Sequence, residues 1–112
     1  MKLYIAVLDE FPDYMTPTLV AHSVLGYHLV VVKDPTSVVC TNYQWYLRES
    51  FKKVTVRVNQ KEFDKIVRLP SVYVGHENTT LEGRDSCAVW LWDGLEELPN
   101  VLKFAKLWKP TA

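Results

Sequence analysis

A basic run in the middle of the chain stands next to a group of aromatic residues, and together they could hold RNA. The basic residues are Arg48, Lys52, Lys53 and Arg57, and the aromatic residues are Tyr43, Trp45 and Tyr46. On a strand Lys53 and Arg57 would share one face, where they could contact phosphates while the rings stack on bases. The alternative is a solvated sheet face beside a core aromatic cluster, and the sequence leaves both interpretations open.

Two histidines are the other side chains suited to chemistry. His76 opens a polar segment that extends to Asp85, and an imidazole there could act as a general base, since histidine is the side chain that titrates nearest neutral pH. The alternative for His76 is a surface histidine in a loop. His22 lies in an apolar stretch of helical spacing, where it either has a binding role or is a hydrogen-bonded core residue.

The sequence contains no motif for a cofactor or a metal. Cys40 and Cys87 are the only cysteines, and their apolar neighbours favour inert core thiols over a catalytic or metal-binding role. There is no glycine-rich phosphate loop, no GxSxG and no HExxH, and no pair of cysteines has zinc-ligand spacing. We therefore expect neither a cofactor nor a metal site.

Length and composition indicate one globular domain, residues 1–112. Hydrophobic residues make up 48% and charged residues 23%, which is typical of a folded domain. The 13 basic residues balance the 13 acidic ones, so a general nucleic-acid coat is excluded while a local basic patch is not. The apolar start, Lys2 to Leu8, is too short for a signal peptide or membrane span, which predicts a cytoplasmic protein without membrane contact.

Strands and helices are expected to alternate along the chain. The predicted strands are Lys2–Leu8, His28–Lys33, Lys53–Val58, Ser71–Gly75 and Cys87–Trp92. Three helices are predicted: one begins at Thr16, and the other two cover Lys61–Leu69 and Pro99–Trp108. Gly26 either ends the first helix or allows close packing, and residues 37–51 are either one helix or a strand followed by a helix. The order predicts an α/β fold: a mixed, mostly parallel sheet of four or five strands between helices, in three α/β/α layers.

Two stretches of the chain resemble the type II peptidyl-tRNA hydrolase superfamily. In the first, the strand at Ile5–Leu8 is followed by a break and a helix of small residues that contains His22. In the second, Trp45 and a lysine-rich segment lead into the alternating strand Lys53–Val58, and the chain continues through Val74–Thr80 to the apolar segment Ala88–Leu91. The resemblance implies the same fold and hydrolysis of the ester that joins a peptide to tRNA.

The resemblance also implies which residues would form the site. Lys53 matches a strand-leading lysine and would hold a tRNA phosphate, and Thr80 matches a loop threonine that would bond the carbonyl or water. His76 stands where the family has an aspartate and would act as the base. Met15 stands in place of a lysine, and Ala88 in place of a second threonine. Lys52, Arg57 and His22 are the expected binding residues beside this catalytic set.

Two functional hypotheses follow. The first is a hydrolase acting on peptidyl- or aminoacyl-tRNA. The second is a catalytically inactive member of the same fold that binds a protein or RNA target and regulates it. Trp90 and Trp92 would share one face of the last strand, which we expect the helix containing Phe104 and Trp108 to cover. If that face is not covered within the chain, we expect two copies of the chain to form a homodimer through the last strand or the C-terminal helix.

Overall fold

The chain forms one five-stranded sheet with helices packed against it in the computed structural model, which describes residues 1–77 and 83–111. A 3₁₀ turn (Asp13–Met15) precedes the first helix, and a π-helical turn (Tyr46–Ser50) follows the second. The remaining elements are β1 (Lys2–Leu8), α1 (Thr16–Val31), α2 (Val38–Trp45), β2 (Lys53–Val58), α3 (Gln60–Ile66), β3 (Tyr73–His76), β4 (Asp85–Trp92), α4 (Asn100–Lys103) and β5 (Lys106–Leu107).

The strand order is β3-β4-β1-β2-β5, and only β1 and β2 run parallel. The pairs β1–β4, β2–β5 and β3–β4 are antiparallel, so the prediction of a mostly parallel sheet is wrong. A parallel pair needs a long crossover, which α1 and α2 supply between β1 and β2. The segment between His76 and Asp85 is too short for one, and β5, which lies far along the chain from β2, pairs with it in the antiparallel direction.

The central strand β1 is buried from Leu3 to Leu8, as its apolar run predicts, because both faces of the sheet are covered there. Helix α1 packs against β1, β3 and β4, while α3 contacts β1 and β2. Two glycines permit the close approach of α1 to β3. A Cβ atom at Gly75 would overlap Ser23, and one at Gly26 would overlap the Tyr73 ring. Gly26 therefore serves close packing and does not end the helix.

The strand predicted at His28–Lys33 is wrong, because α1 continues through Val31. Val31 lies one helical turn after Tyr27 and is buried on the same stripe, whereas Leu29 and Val30 are exposed. Tertiary packing thus overrides the strand preference of the valine run. The ambiguous segment 37–51 is helical, and it begins at Ser37, whose hydroxyl accepts a hydrogen bond from the Cys40 amide at 3.0 Å.

The strand at Lys53–Val58 is confirmed, and a helix follows it as predicted, at Gln60–Ile66. Asn59 and Glu62 form a capping box in which each side chain accepts a hydrogen bond from the other residue's amide, at 2.8 and 3.0 Å. This cap satisfies two amides that the first helical turn cannot pair internally. The sharp turn from β2 into α3 is therefore encoded locally.

The helix predicted at Pro99–Trp108 is wrong, since only Asn100–Lys103 is helical and the chain then forms β5. The Trp108 amide donates to the Thr55 carbonyl at 2.9 Å, which extends the pairing of the C-terminal segment with β2. Phe104 is exposed, so it does not cover Trp90 and Trp92 as expected. No helix within residues 1–77 and 83–111 is both long and apolar enough to cross a bilayer.

Candidate functional site

Lys53 lies at the start of β2, beside two aromatic rings. Its ammonium nitrogen is 3.3 Å from the centroid of the Phe51 ring and 5.4 Å from that of Tyr46, and it donates to the Phe51 carbonyl at 3.2 Å. The π-helical turn ends at Phe51, whose left-handed backbone (φ 58°) turns the chain into β2. Partial burial lowers the pKa of Lys53. An exposed cation beside aromatic rings can bind a ligand that combines an anionic group with a planar ring.

His76 ends β3 at the far side of the sheet. Its Nδ1 atom lies 2.9 Å from a carboxylate oxygen of Asp85, the first residue of β4, and both side chains are about half exposed. Such a carboxylate fixes the orientation of an imidazole and the nitrogen that carries the proton. His76 is therefore oriented at the protein surface, with its Nε2 atom on the other side of the ring.

The structure does not bring Lys53 and His76 together. Lys53 pairs with Leu3, near the first residue of β1. His76 pairs with Asp85, which lies two residues before Cys87, the partner of Val7 near the last residue of β1. Lys53 and His76 are therefore at opposite ends of the sheet along the strand direction. Three strand spacings also separate them, so their backbones are more than about 20 Å apart by standard strand dimensions. A β-bulge between Gly75 and His76 interrupts the alternation of β3, so it is distance, and not the face of the sheet, that separates His76 from Lys53.

Thr80, the third expected catalytic residue, lies outside the described residues. Two of the three positions that depart from the resembled pattern, Met15 and Ala88, have apolar surroundings. Met15 is partly buried against the core, just before α1, and Ala88 is fully buried in β4. A lysine at the first position or a threonine at the second would bring a polar group into this packing, which explains why these residue types suit the fold.

Two of the expected binding residues are exposed but lie on different elements. Lys52 precedes β2, and its carbonyl accepts a hydrogen bond from the Leu3 amide at 2.9 Å. His22 is on the exposed side of α1, so the interpretation as a core histidine is wrong. Because α1 packs toward β3 and β4, His22 does not join the basic residues of β2.

Arg57 is the centre of a contact between β2, the 3₁₀ turn and the C-terminal segment. Its guanidinium donates to Asp13 at 3.1 Å and to the Lys109 carbonyl at 2.6 Å, and it stacks over the Trp108 ring. Asp13 also accepts hydrogen bonds from the amide and hydroxyl of Thr111, at 2.6 and 2.9 Å. These Thr111 bonds, with a smaller contribution from Arg57, hold the pKa of Asp13 below its usual value.

The C-terminal lysines join Arg57 in a cleft of about 450 Å³, lined by Arg57, Lys106, Leu107 and Lys109. Strand β5 pairs Lys106 with Arg57, which places the two side chains side by side. We call Lys53, Arg57, Lys106 and Lys109 the basic edge. Lys106 and Lys109 are missing from the site predicted from the sequence, because the sequence predicts a helix for residues 99–108. Lysines close to a proline, here Pro110, are also typical of an edge strand, and that signal could have identified them.

The cysteines have no role at the basic edge. Both are buried, and burial raises the pKa of the Cys87 thiol to about 11, which disfavours the reactive thiolate. No cluster of three or more His, Cys, Asp or Glu side chains in the described parts of the chain has the arrangement of a metal site. The chemistry of the basic edge is therefore that of cations and rings.

No protein-family model matches this chain, and no curated protein matches it either.

Proposed function

We propose that this chain is a binding module of the peptidyl-tRNA hydrolase type that holds RNA, of which tRNA is the expected form, along the basic edge. The observation that carries the proposal is the cleft between β2 and β5, where Arg57, Lys106 and Lys109 meet and where none of the described residues that line it is acidic. Cations that converge on one cleft bind phosphate far better than the same cations spread over a surface.

Aromatic residues beside the edge support RNA over a simple anion. The Phe51 ring is exposed and lies against Lys53, and the partly buried Trp108 ring lies under Arg57. An exposed ring beside cations allows an unpaired base to stack while the phosphates contact lysine and arginine. Arg57 is partly neutralised by Asp13, so Lys106 and Lys109 supply most of the attraction.

The zero net charge of the chain is compatible with this proposal because part of the acidic charge lies away from the basic edge. Acidic side chains, among them Asp93, Glu96 and Glu97, line a different pocket at the other edge of the sheet. The local potential at the basic edge therefore stays positive, and its effect weakens with added salt.

The test is RNA binding by the full chain, measured by fluorescence anisotropy of a labelled tRNA acceptor hairpin between 50 and 200 mM salt, about the range in which phosphate contacts change affinity most. The double variant Lys106→Gln and Lys109→Gln should bind at least about tenfold more weakly and lose about two units of salt slope. The matched control is Lys61→Gln with Lys65→Gln, two exposed lysines of α3. Equal losses in both double variants, or no binding by the wild type, would refute the proposal.

The hydrolase remains a second candidate, and the contact between His76 and Asp85 favours it. A carboxylate-oriented imidazole at the end of a strand is a common form of general base. In this version His76 would act without Lys53, since the two residues lie far apart in the sheet. Its test is ester cleavage, given in the Discussion.

A further inference from the structure

Phe51 is an unusual residue for its position, because neither the backbone nor the core requires an aromatic side chain there. Its backbone is left-handed (φ 58°), a conformation that glycine adopts easily and a bulky residue rarely does. The residue is 60% exposed, so its ring adds little to the buried core. The π-helical turn before it is a rare element that is frequent at functional sites. These features indicate that the Phe51 ring acts at the surface.

The Phe51 ring is attached to a series of stacked rings that begins in the core. Tyr43 and Tyr46 are buried, and their ring centroids are 5.9 Å apart with the planes 16° from parallel. The Tyr46 and Phe51 rings follow, at 6.0 Å and 26°. Phe51 is thus the exposed last ring of the series, and a buried neighbour fixes its orientation. A ring that is already held in place loses little conformational entropy when a ligand stacks on it.

Lys53 and Tyr46 lie on the same face of the Phe51 ring. The Lys53 ammonium nitrogen is 3.3 Å from the Phe51 centroid, a distance that places it over the ring and not at its edge. It is 5.4 Å from the Tyr46 centroid, closer than the 6.0 Å between the two ring centroids. An ammonium on the far face of Phe51 would be farther from Tyr46 than the Phe51 centroid is. The exposure of Phe51 therefore belongs mainly to the opposite face of its ring, which we call the open face.

The open face of Phe51 suits a planar ring, and a purine best. The faces of aromatic rings carry partial negative charge, which disfavours direct stacking of two rings. The Lys53 ammonium draws electron density toward the other face of Phe51, so it weakens this repulsion at the open face. The cation thus favours an electron-rich ring as the stacking partner. A purine base is larger than a pyrimidine and covers more of the Phe51 ring, which strengthens stacking.

The basic edge continues from Phe51 along β2. Arg57 comes four residues after Lys53 on the same strand, so the two side chains share one face and lie about 13 Å apart. The cleft between β2 and β5, with Lys106 and Lys109, begins at Arg57. A single RNA strand whose phosphates bind in this cleft can therefore reach Phe51 within a few nucleotides.

We propose that the open face of Phe51 stacks an unpaired purine from the single-stranded end of an RNA whose phosphates bind along the basic edge. This inference rests on the proposed RNA binding, and it names the part of the RNA that the start of β2 recognises. A base inside a duplex has a neighbour on each face and does not bind in this way. Lys53 holds the ring through its contacts with the Phe51 ring and carbonyl.

The test is fluorescence anisotropy of three labelled RNA hairpins with the full chain. The hairpins differ only in a short 3′ single-stranded tail of adenosines, of uridines or of abasic nucleotides, so all three carry the same phosphates. We expect the adenosine tail to bind at least about fivefold more tightly than the abasic tail, with the uridine tail between them. Equal affinity of the adenosine tail and either other tail would overturn this inference alone. No binding of any hairpin would overturn the proposed RNA binding as well.

Variants of Phe51 assign the effect to its ring. Phe51→Leu keeps an apolar side chain and should bring the affinities for the adenosine and abasic tails close together, whereas Phe51→Trp should keep them apart. The matched control is Phe104→Leu, because Phe104 is 74% exposed and its ring centroid is 5.6 Å from the Lys103 ammonium. This control should retain the preference for adenosine. A preference that survives Phe51→Leu, or that is lost in Phe104→Leu, would refute the role of Phe51, and melting temperatures show that each variant is folded.

Discussion

Asp13 and Arg57 form an ion pair of 3.1 Å that ties the 3₁₀ turn before α1 to the last part of β2. The same carboxylate accepts two hydrogen bonds from Thr111, which add to the backbone pairing of β5 in holding the C-terminal segment against β2. The basic edge depends on this attachment, since Lys106 and Lys109 come from the C-terminal segment and Arg57 from the strand.

The Asp13 contacts should make stability depend on pH in the acidic range. The pKa of Asp13 is lowered in the folded chain from the usual 3.8, so the ionised form is the one that the fold stabilises. The stability it contributes is fully present above 3.8 and is lost as the pH falls through the lower, folded-state pKa. In thermal melts between about pH 6 and pH 2, the wild type should therefore have a higher melting temperature than Asp13→Asn, and this difference should become smaller toward low pH.

A truncated chain without Thr111 and Ala112 provides the control for this pH dependence. It removes the two Thr111 donors that contribute most to the lowered pKa of Asp13 but keeps Arg57. The difference in melting temperature between the truncated chain and its own Asp13→Asn variant should be smaller than in the full-length pair, and it should change less with pH. A full-length advantage that is constant across the acidic range would contradict the assigned role of Asp13.

Ester cleavage tests the hydrolase hypothesis directly. If the chain hydrolyses peptidyl- or aminoacyl-tRNA with His76 as base, His76→Ala should lower kcat by about a hundredfold or more, the usual contribution of a general base. Asp85→Asn should lower it less, because Asp85 only orients the ring. Lys53→Ala should change KM rather than kcat, since Lys53 lies far from His76 and would act only by holding the tRNA. Cleavage that is absent at high protein concentration would end this hypothesis.

The contact between Gly75 and Ser23 should be essential to the packing of α1. Gly75→Ala would place a methyl group in the space of the Ser23 side chain, and we expect a loss of about 1–3 kcal/mol of unfolding free energy. Ser23→Gly should cost about 1 kcal/mol on its own, since glycine disfavours the helix. The double variant should lose less than the sum, and chemical denaturation measures all four proteins. Additive losses would mean that the two residues do not limit each other.

The capping box at the start of α3 should contribute measurably to stability. Asn59→Ala removes the side chain that accepts from the Glu62 amide, and we expect a loss of about 1 kcal/mol in chemical denaturation. Gln60→Ala, one position later and exposed, is the control and should have a much smaller effect. Because alanine favours the helix at least as well as glutamine, a loss as large in Gln60→Ala as in Asn59→Ala would mean that the loss is not specific to the Asn59 cap.

The sequence by itself determined the elements whose signals are local. Neighbouring residues are enough to predict three of them: the apolar run at Lys2–Leu8, the alternation at Lys53–Val58 and the cap formed by Asn59 and Glu62. Both the periodicity of buried residues and helix capping depend on residues only a few positions apart in the chain. The basic run around Lys53 was visible for the same reason. Lys53 stays beside the Tyr46 and Phe51 rings, although Tyr43 and Tyr46 are buried in the core.

Only the tertiary structure decided the rest. The valines at 30–32 favour a strand in isolation, but burial of Tyr27 and Val31 on one stripe keeps them in α1. The segment after Lys103 joins β2 as an edge strand because β2 offers unpaired backbone groups, a partner more than forty residues away in the chain. The strand order β3-β4-β1-β2 separates Lys53 from His76 and brings Lys106 to Arg57. Strand order depends on long-range pairing, and local residue patterns carry no record of it.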